Sequence, residues 1–127
     1  MRSKKKSDPS PSATRSGCPI ATTLDVLGDK WTLILIRDML AGKSRYSDFL
    51  GSPEGIPTNI LANRLKRMEA AGLVAKRPYQ TKPPRSEYLL TAMGRGLIPV
   101  LHDICQWANA YIPGTWVPPR DFMELRP

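Results

Sequence analysis

Histidine is almost missing from this chain, and cysteine nearly so. His102 is its only histidine, Cys18 and Cys105 are its only thiols, and no Cys-x-x-Cys occurs. A structural metal site needs several such ligands at close spacing, so no metal centre is expected. No nucleophile–base–acid set and no glycine-rich phosphate loop is visible. The chain is therefore expected neither to be an enzyme nor to carry a cofactor. Long hydrophobic runs are lacking too. None approaches the ~18–20 residues that a bilayer span requires, and no apolar stretch follows the cationic start, so neither a membrane segment nor a signal peptide is expected. Two cysteines without an export signal imply free thiols in a reducing compartment, with the cytoplasm as default. Acids are scarce as well, 11 against 19 Lys and Arg, for a formal net charge of +8.

That surplus is not confined to one end. Residues 1–17 hold five cations and one acid, which leaves 14 cations and 10 acids in residues 18–127. The body is basic on its own account. Such a balance favours an anionic partner: DNA, RNA or an anionic membrane surface. At 127 residues a single domain with one small core is expected. No internal repeat is visible.

Proline is plentiful, and where it is absent marks the helices. None of the 13 prolines falls between 20 and 52, between 58 and 77, or between 100 and 112. Residues 1–17, rich in Lys, Ser and Pro, offer almost nothing to bury and read as a flexible basic arm, either tracking DNA or simply solvated. Pro19 suits a first helical position, and Ile20, Leu24 and Leu27 follow at helical spacing up to Gly28. Asp29 can cap the next helix, Lys30 to Leu40, which is apolar nearly all round and should be the buried central helix. Tyr46 to Leu50 is a short helix. Thr91 can cap a last helix reaching Ile112, with Pro99 delaying its firm start or kinking it.

The segment from Gly55 to Thr91 carries most information. Leu61, Leu65 and Met68 form one apolar stripe, while Asn59, Asn63, Lys66 and Arg67 fall opposite. A face of amides and cations suits base edges and phosphates. Leu73–Arg77 and Ser86–Leu90 then read as two strands around a tip, Pro78 to Arg85, where Pro83-Pro84 should stop ladder pairing. A polar-faced helix followed by a basic hairpin is the order of a winged helix-turn-helix. The fold class expected is α+β, mainly α, with a two-stranded wing and a C-terminal dimerisation helix. Its domain spans 18–112, followed by a tail over 113–127.

Several segments together resemble one known family. They are Cys18-Pro19, Leu24-Asp25-Val26-Leu27-Gly28-Asp29-Lys30-Trp31, Arg45-Tyr46-Ser47-Asp48-Phe49, Gly55-Ile56-Pro57-Thr58-Asn59-Ile60-Leu61, Arg64 through Val74, Pro83 through Tyr88, and Leu90 through Gly94. In this order the chain resembles the HxlR-type transcriptional regulators, winged-helix proteins related to the MarR group. The resemblance implies a homodimeric DNA-binding regulator of transcription. Two departures stand out. Pro57 takes a place where the family often has serine, which leaves capping to Thr58 or to a backbone turn. The tail from Pro113 matches nothing general.

The residues then take these expected roles. Thr58, Asn59 and Asn63 face base edges, while Arg64, Lys66 and Arg67 meet phosphates or guanine. Arg45 and Ser47 bind phosphate at the start of the preceding helix, although Arg45 is equally readable as a surface cation. Lys82 and Arg85 reach the flanking groove from the wing, unless Arg85 pairs with Glu87. The last helix has more apolar positions than one face can bury. Leu97, Leu101, Ile104, Trp107, Ala108 and Tyr111 are its dimer-interface candidates; the alternative buries the helix in its own domain. Cys18, before a helix N-terminus and near Arg15, is a candidate redox sensor, as several members of the resembled family use a cysteine there. Cys105 is a second candidate, able to join Cys18 of another copy; both are also readable as small packed hydrophobes. His102, with Asp103, is expected to form an exposed or half-buried helix pair, and the tail to lie back on the protein through Trp116 and Phe122. The partners expected are double-stranded DNA, a second copy, and a small-molecule or electrophile effector. The rival readings are a winged helix used only for protein–protein contact and a small thiol redox protein.

Overall fold

The computed structural model describes residues 15–127, so most of the expected basic arm, residues 1–14, lies outside the described residues. Helix α1 spans Pro19–Leu27 and α2 spans Thr32–Leu40. The start of α2 is set by Asp29. Its carboxylate accepts the Trp31 and Thr32 amides at 2.9 and 3.0 Å, which satisfies donors a helix leaves open at its first turn. Leu35 and Ile36 are fully buried, as expected of a central helix.

Helix α3, Tyr46–Leu50, sends Phe49 into the same core. Helix α4, Thr58–Ala70, buries Leu61, Leu65 and Met68, which is the stripe read from the sequence. It stops at Gly72, whose φ is +84°. The Gly72 amide donates to Glu69 O and the Leu73 amide to Met68 O, a left-handed cap that only glycine adopts without strain. Pro57 precedes α4 in extended conformation, and no side chain caps this helix. The Tyr46 hydroxyl instead donates to Thr58 O at 2.7 Å and ties α3 to the first turn of α4.

Strands β1, Val74–Thr81, and β2, Pro84–Leu90, form an antiparallel ribbon in which Thr81 faces Pro84. The ladder therefore continues through the segment expected to interrupt it. In a two-stranded ribbon half the amides point outward, and proline is tolerated there. A register shift at Tyr79 absorbs the irregularity. Residues 44–45 add a short third edge: Tyr88 N donates to Ser44 O at 2.7 Å, and Arg45 bridges Glu87.

The final helical stretch is broken in two. Short α5, Ala92–Arg95, is capped by Thr91, whose hydroxyl accepts the Gly94 amide; α6, Ile98–Tyr111, carries Pro99 in its first turn. Proline lacks the amide that an interior turn needs and is tolerated only at a helix start. The tail returns to the body through α7, Arg120–Met123. Phe122 packs against the core edge-on to His102, whose Nε2 lies 2.8 Å from Phe122 O. His102 is thus half-buried against the tail and Asp103 exposed, as expected of the pair. Trp116, expected to lie down with Phe122, is instead 71% exposed.

Candidate nucleic-acid interface

The turn between α3 and α4 is anchored before it can present anything. Asp38 on α2 is buried, and Ser52 in the turn donates its hydroxyl to the Asp38 carboxylate. Arg37 binds Asp38 at 2.8 Å and grips Glu54 with two nitrogens at 2.6 and 2.8 Å. Glu54 sits in the loop leading into α4. A paired and hydrogen-bonded ion cluster of this kind fixes geometry even where its net energy is small.

On that base, α4 points Thr58, Asn59, Asn63, Lys66 and Arg67 outward, all exposed. Arg64 differs from them. Its Nε donates to Asp29 at 2.9 Å and its side chain is only 18% exposed, so it braces α4 against the α1–α2 turn. A second Arg64 nitrogen donates to Asn63 Oδ1 at 2.6 Å and orients that amide. Arg64, expected to meet DNA alongside Lys66 and Arg67, is thus engaged within the fold by Asp29 and Asn63, while Lys66 and Arg67 are exposed. Burial opposes the charge on Asp29. The Thr32 hydroxyl, the Trp31 amide, Arg64 and the Thr32 amide outweigh it and hold the carboxyl at about 2.

The wing shows a similar division between bound and free cations. Arg77 faces Glu87 across the ribbon and binds it at 2.7 Å. The expected alternative of an Arg85–Glu87 pair is not formed, because residues directly opposite on two strands approach more closely than next-but-one residues on a single strand. Ser44 Oγ also donates to Glu87, at 3.2 Å. Arg77, then Ser44, hold the Glu87 carboxyl below its usual range. Lys66, Arg67, Lys76, Lys82 and Arg85 make no ion pair among the described residues. Uncompensated cations thus run from α4 to the wing tip.

The start of α3 is less open than expected. Asp48 accepts the Ser44 and Arg45 amides at 3.2 and 3.0 Å, and those amides hold its carboxyl below the usual range. A negative charge thus already sits at that end and takes the Arg45 amide, while the Arg45 and Ser47 side chains stay exposed. Arg45 stacks its guanidinium 3.9 Å from the Tyr79 ring centroid.

The thiols separate by environment. Cys18 is exposed at the mouth of α1. The Ala21 and Ile20 amides, with help from Arg15, lower its pKa. Cys105 is half-buried, and burial alone raises its pKa. Of the dimer candidates, Leu101 is buried in the chain's own core and Leu97 packs against it. Leu101 thus has little surface left for a partner, and Leu97 is half-buried. Ile104, Trp107 and Tyr111 are exposed, Ala108 is half-buried, and Val100, Ile20 and Leu24 are exposed apolar residues that were not among the candidates. Their signal was available: Val100 lies seven residues before Trp107, on the same side of α6.

Residues 26–115 match the model of the HxlR-like helix-turn-helix family. The chain belongs to that family. Among HxlR-like relatives, it is 38% identical over 96 residues to the HTH-type transcriptional regulator YybR of Bacillus subtilis strain 168, covering 76% of this chain and 77% of that protein. Its fold is similar to the solved structure of PA1607, with a TM-score of 0.72 and 36% identity over 80% of this chain and 72% of that one. It is also similar to the redox regulator HypR, solved in reduced form (TM-score 0.66, 37% identity, 72% of this chain and 91% of that one) and in oxidised form (TM-score 0.66, 38% identity, 73% and 96%). This HxlR-like chain is thus a winged-helix transcriptional regulator and not an enzyme, and its family implies DNA binding. Among the described residues no helix is long and apolar enough to cross a membrane.

Proposed function

We propose that the chain binds a pseudo-palindromic operator as a homodimer, with α4 in the major groove and the wing on the flanking backbone or minor groove. One observation carries this: Asn59, Asn63, Lys66 and Arg67 share one exposed face, and the unpaired cations continue onto Lys82 and Arg85. Asparagine pairs with adenine N6 and N7, and arginine with guanine O6 and N7. Thr58 flanks them at the helix start. The exposed strip Val100, Trp107 and Tyr111 on α6 supplies an apolar surface for a second copy. Two copies on a two-fold axis set half-sites about one helical turn, ~34 Å, apart.

Cys18 is the sensing thiol in this reading. It is exposed, the Ala21 and Ile20 amides lower its pKa, and thiolate character governs reactivity toward oxidants and electrophiles. Burial raises the Cys105 pKa, which makes it the weaker nucleophile of the two. The likeness to HypR, a redox regulator, supports a thiol signal.

A mobility-shift titration on the DNA flanking the chain's own gene tests the proposal. A discrete complex is expected at nanomolar protein, resisting nonspecific competitor. About six to ten phosphate contacts would weaken it by about 10³–10⁵ between 50 and 200 mM salt. Binding that depends only shallowly on salt, or no preference for any flanking segment, would contradict it.

A further inference from the structure

A cavity of about 810 Å³ opens between α2, the C-terminal half of α6 and the returning tail. Its origin lies in the sequence of α6. Leu101 packs into the core, and Ile104, Cys105 and Ala108 continue the same side of the helix. Beyond Leu101 that side meets space where the core would otherwise continue. The facing wall is Leu33, Ile34 and Leu40 of α2, and the roof is Trp116 and Phe122.

The roof is held in place. Asn109 Nδ2 donates to Thr115 Oγ1 at 3.0 Å and to Trp116 O at 3.2 Å, and His102 meets Phe122 O. The Asn109 amide thus holds the Trp116 backbone, and Trp116 is 71% exposed. A volume of this size suits a small molecule. The outward strip Val100, Trp107 and Tyr111 lies about 100° round the helix from the middle of the cavity side, with Ile104 between them.

The charges select the sign of the ligand. Arg37 is the only cation on the wall, and Asp38 and Glu54 already take its nitrogens. Asp121, also on the wall, makes no side-chain hydrogen bond or ion pair among the described residues. An entering anion meets a saturated guanidinium and an unpaired carboxylate. An aromatic cation gains the carboxylate and the Trp116 face. We infer that this cavity is a binding site for lipophilic aromatic monocations, roofed by Trp116 and paired to Asp121. Arg37 also holds Glu54 before α4, so occupancy has a short route to the reading helix. That consequence rests on the regulator reading, whereas the binding itself does not.

Isothermal titration of the full chain without DNA tests the site, using tetraphenylphosphonium and its near-isosteric anion tetraphenylborate. The phosphonium is expected to bind at least about tenfold tighter than the borate. Asp121→Asn should weaken it about tenfold. Ala108→Trp, which fills the cavity, should abolish it. Trp116→Ala removes an exposed ring without disturbing the packed helix, and should weaken binding even if Ala108→Trp fails to fold. Equal or tighter borate binding would overturn the inference, as would phosphonium binding unchanged in both Asp121→Asn and Trp116→Ala. Loss on Trp107→Ala with none on Trp116→Ala would overturn it too, because the ligand would then sit on the outer strip. Mobility shifts without the phosphonium test the regulator reading separately.

Discussion

Asp29 receives two backbone amides, the Thr32 hydroxyl and the Arg64 guanidinium on one carboxylate. It caps α2 and braces α4 at once. Its carboxyl titrates at about 2 in the fold, below the ordinary 3.8. A depressed carboxylate contributes stability that is fully present above the unfolded value and is lost as pH falls through the folded one. Thermal melts should therefore show an Asp29-dependent loss of about 1 kcal/mol between about pH 4 and pH 2. Asp29→Ala should cost about 1–2 kcal/mol at neutral pH through the lost cap, and should flatten that acid dependence. A full acid transition in the variant would count against this account. The capping role was legible, because Asp at the start of an apolar run acts within three residues. The Arg64 contact was not, because it joins residues 35 apart in the chain and depends on where α4 docks. Arg77 and Glu87 show the same limit in milder form: their pairing follows from strand register, which the prolines of the wing obscured.

At the level of elements, α5 must approach the base of the wing closely. A Cβ at Gly94 would fall 2.3 Å from Leu73 O and 2.9 Å from a Leu90 methyl. Backbone on one side leaves little room to yield. Gly94→Ala should destabilise by about 1–3 kcal/mol, measured by denaturant unfolding, while Gly51→Ala, with nothing nearer than 3.5 Å, should cost much less. Equal costs would argue against close docking of α5. The elements themselves were readable where one physical signal dominated. The buried stripe of α4 followed from its 3.6-residue period, and its end from Gly72. The break between α5 and α6 followed from Pro99. The longer ribbon was missed because proline forbids an inward ladder amide but says nothing about an outward one.

For the whole molecule, the exposed apolar residues set the expectation. Trp107 is 60% and Tyr111 72% exposed, with their rings 5.6 Å apart. Replacing both with Glu should convert a dimer to a monomer in sedimentation equilibrium without unfolding it, since neither contributes to the core. A dimer surviving that change would move the interface elsewhere. The surplus of apolar residues on α6 was legible in the sequence, but its division was not. Leu97 and Leu101 went to the core, Ala108 to the cavity wall and Trp107 to the outer strip. That partition depends on the tail folding back, and the tail has no period from which to read it.

The proposed function requires the outward face of α4 to read DNA. Fluorescence anisotropy on a flanking fragment that shifts, comparing the wild type with Asn59→Ala/Asn63→Ala/Arg67→Ala, reads this out. These residues are exposed, so the melting temperature should hold while operator affinity falls by at least about 100-fold. Undiminished operator affinity in the folded triple variant would contradict the account.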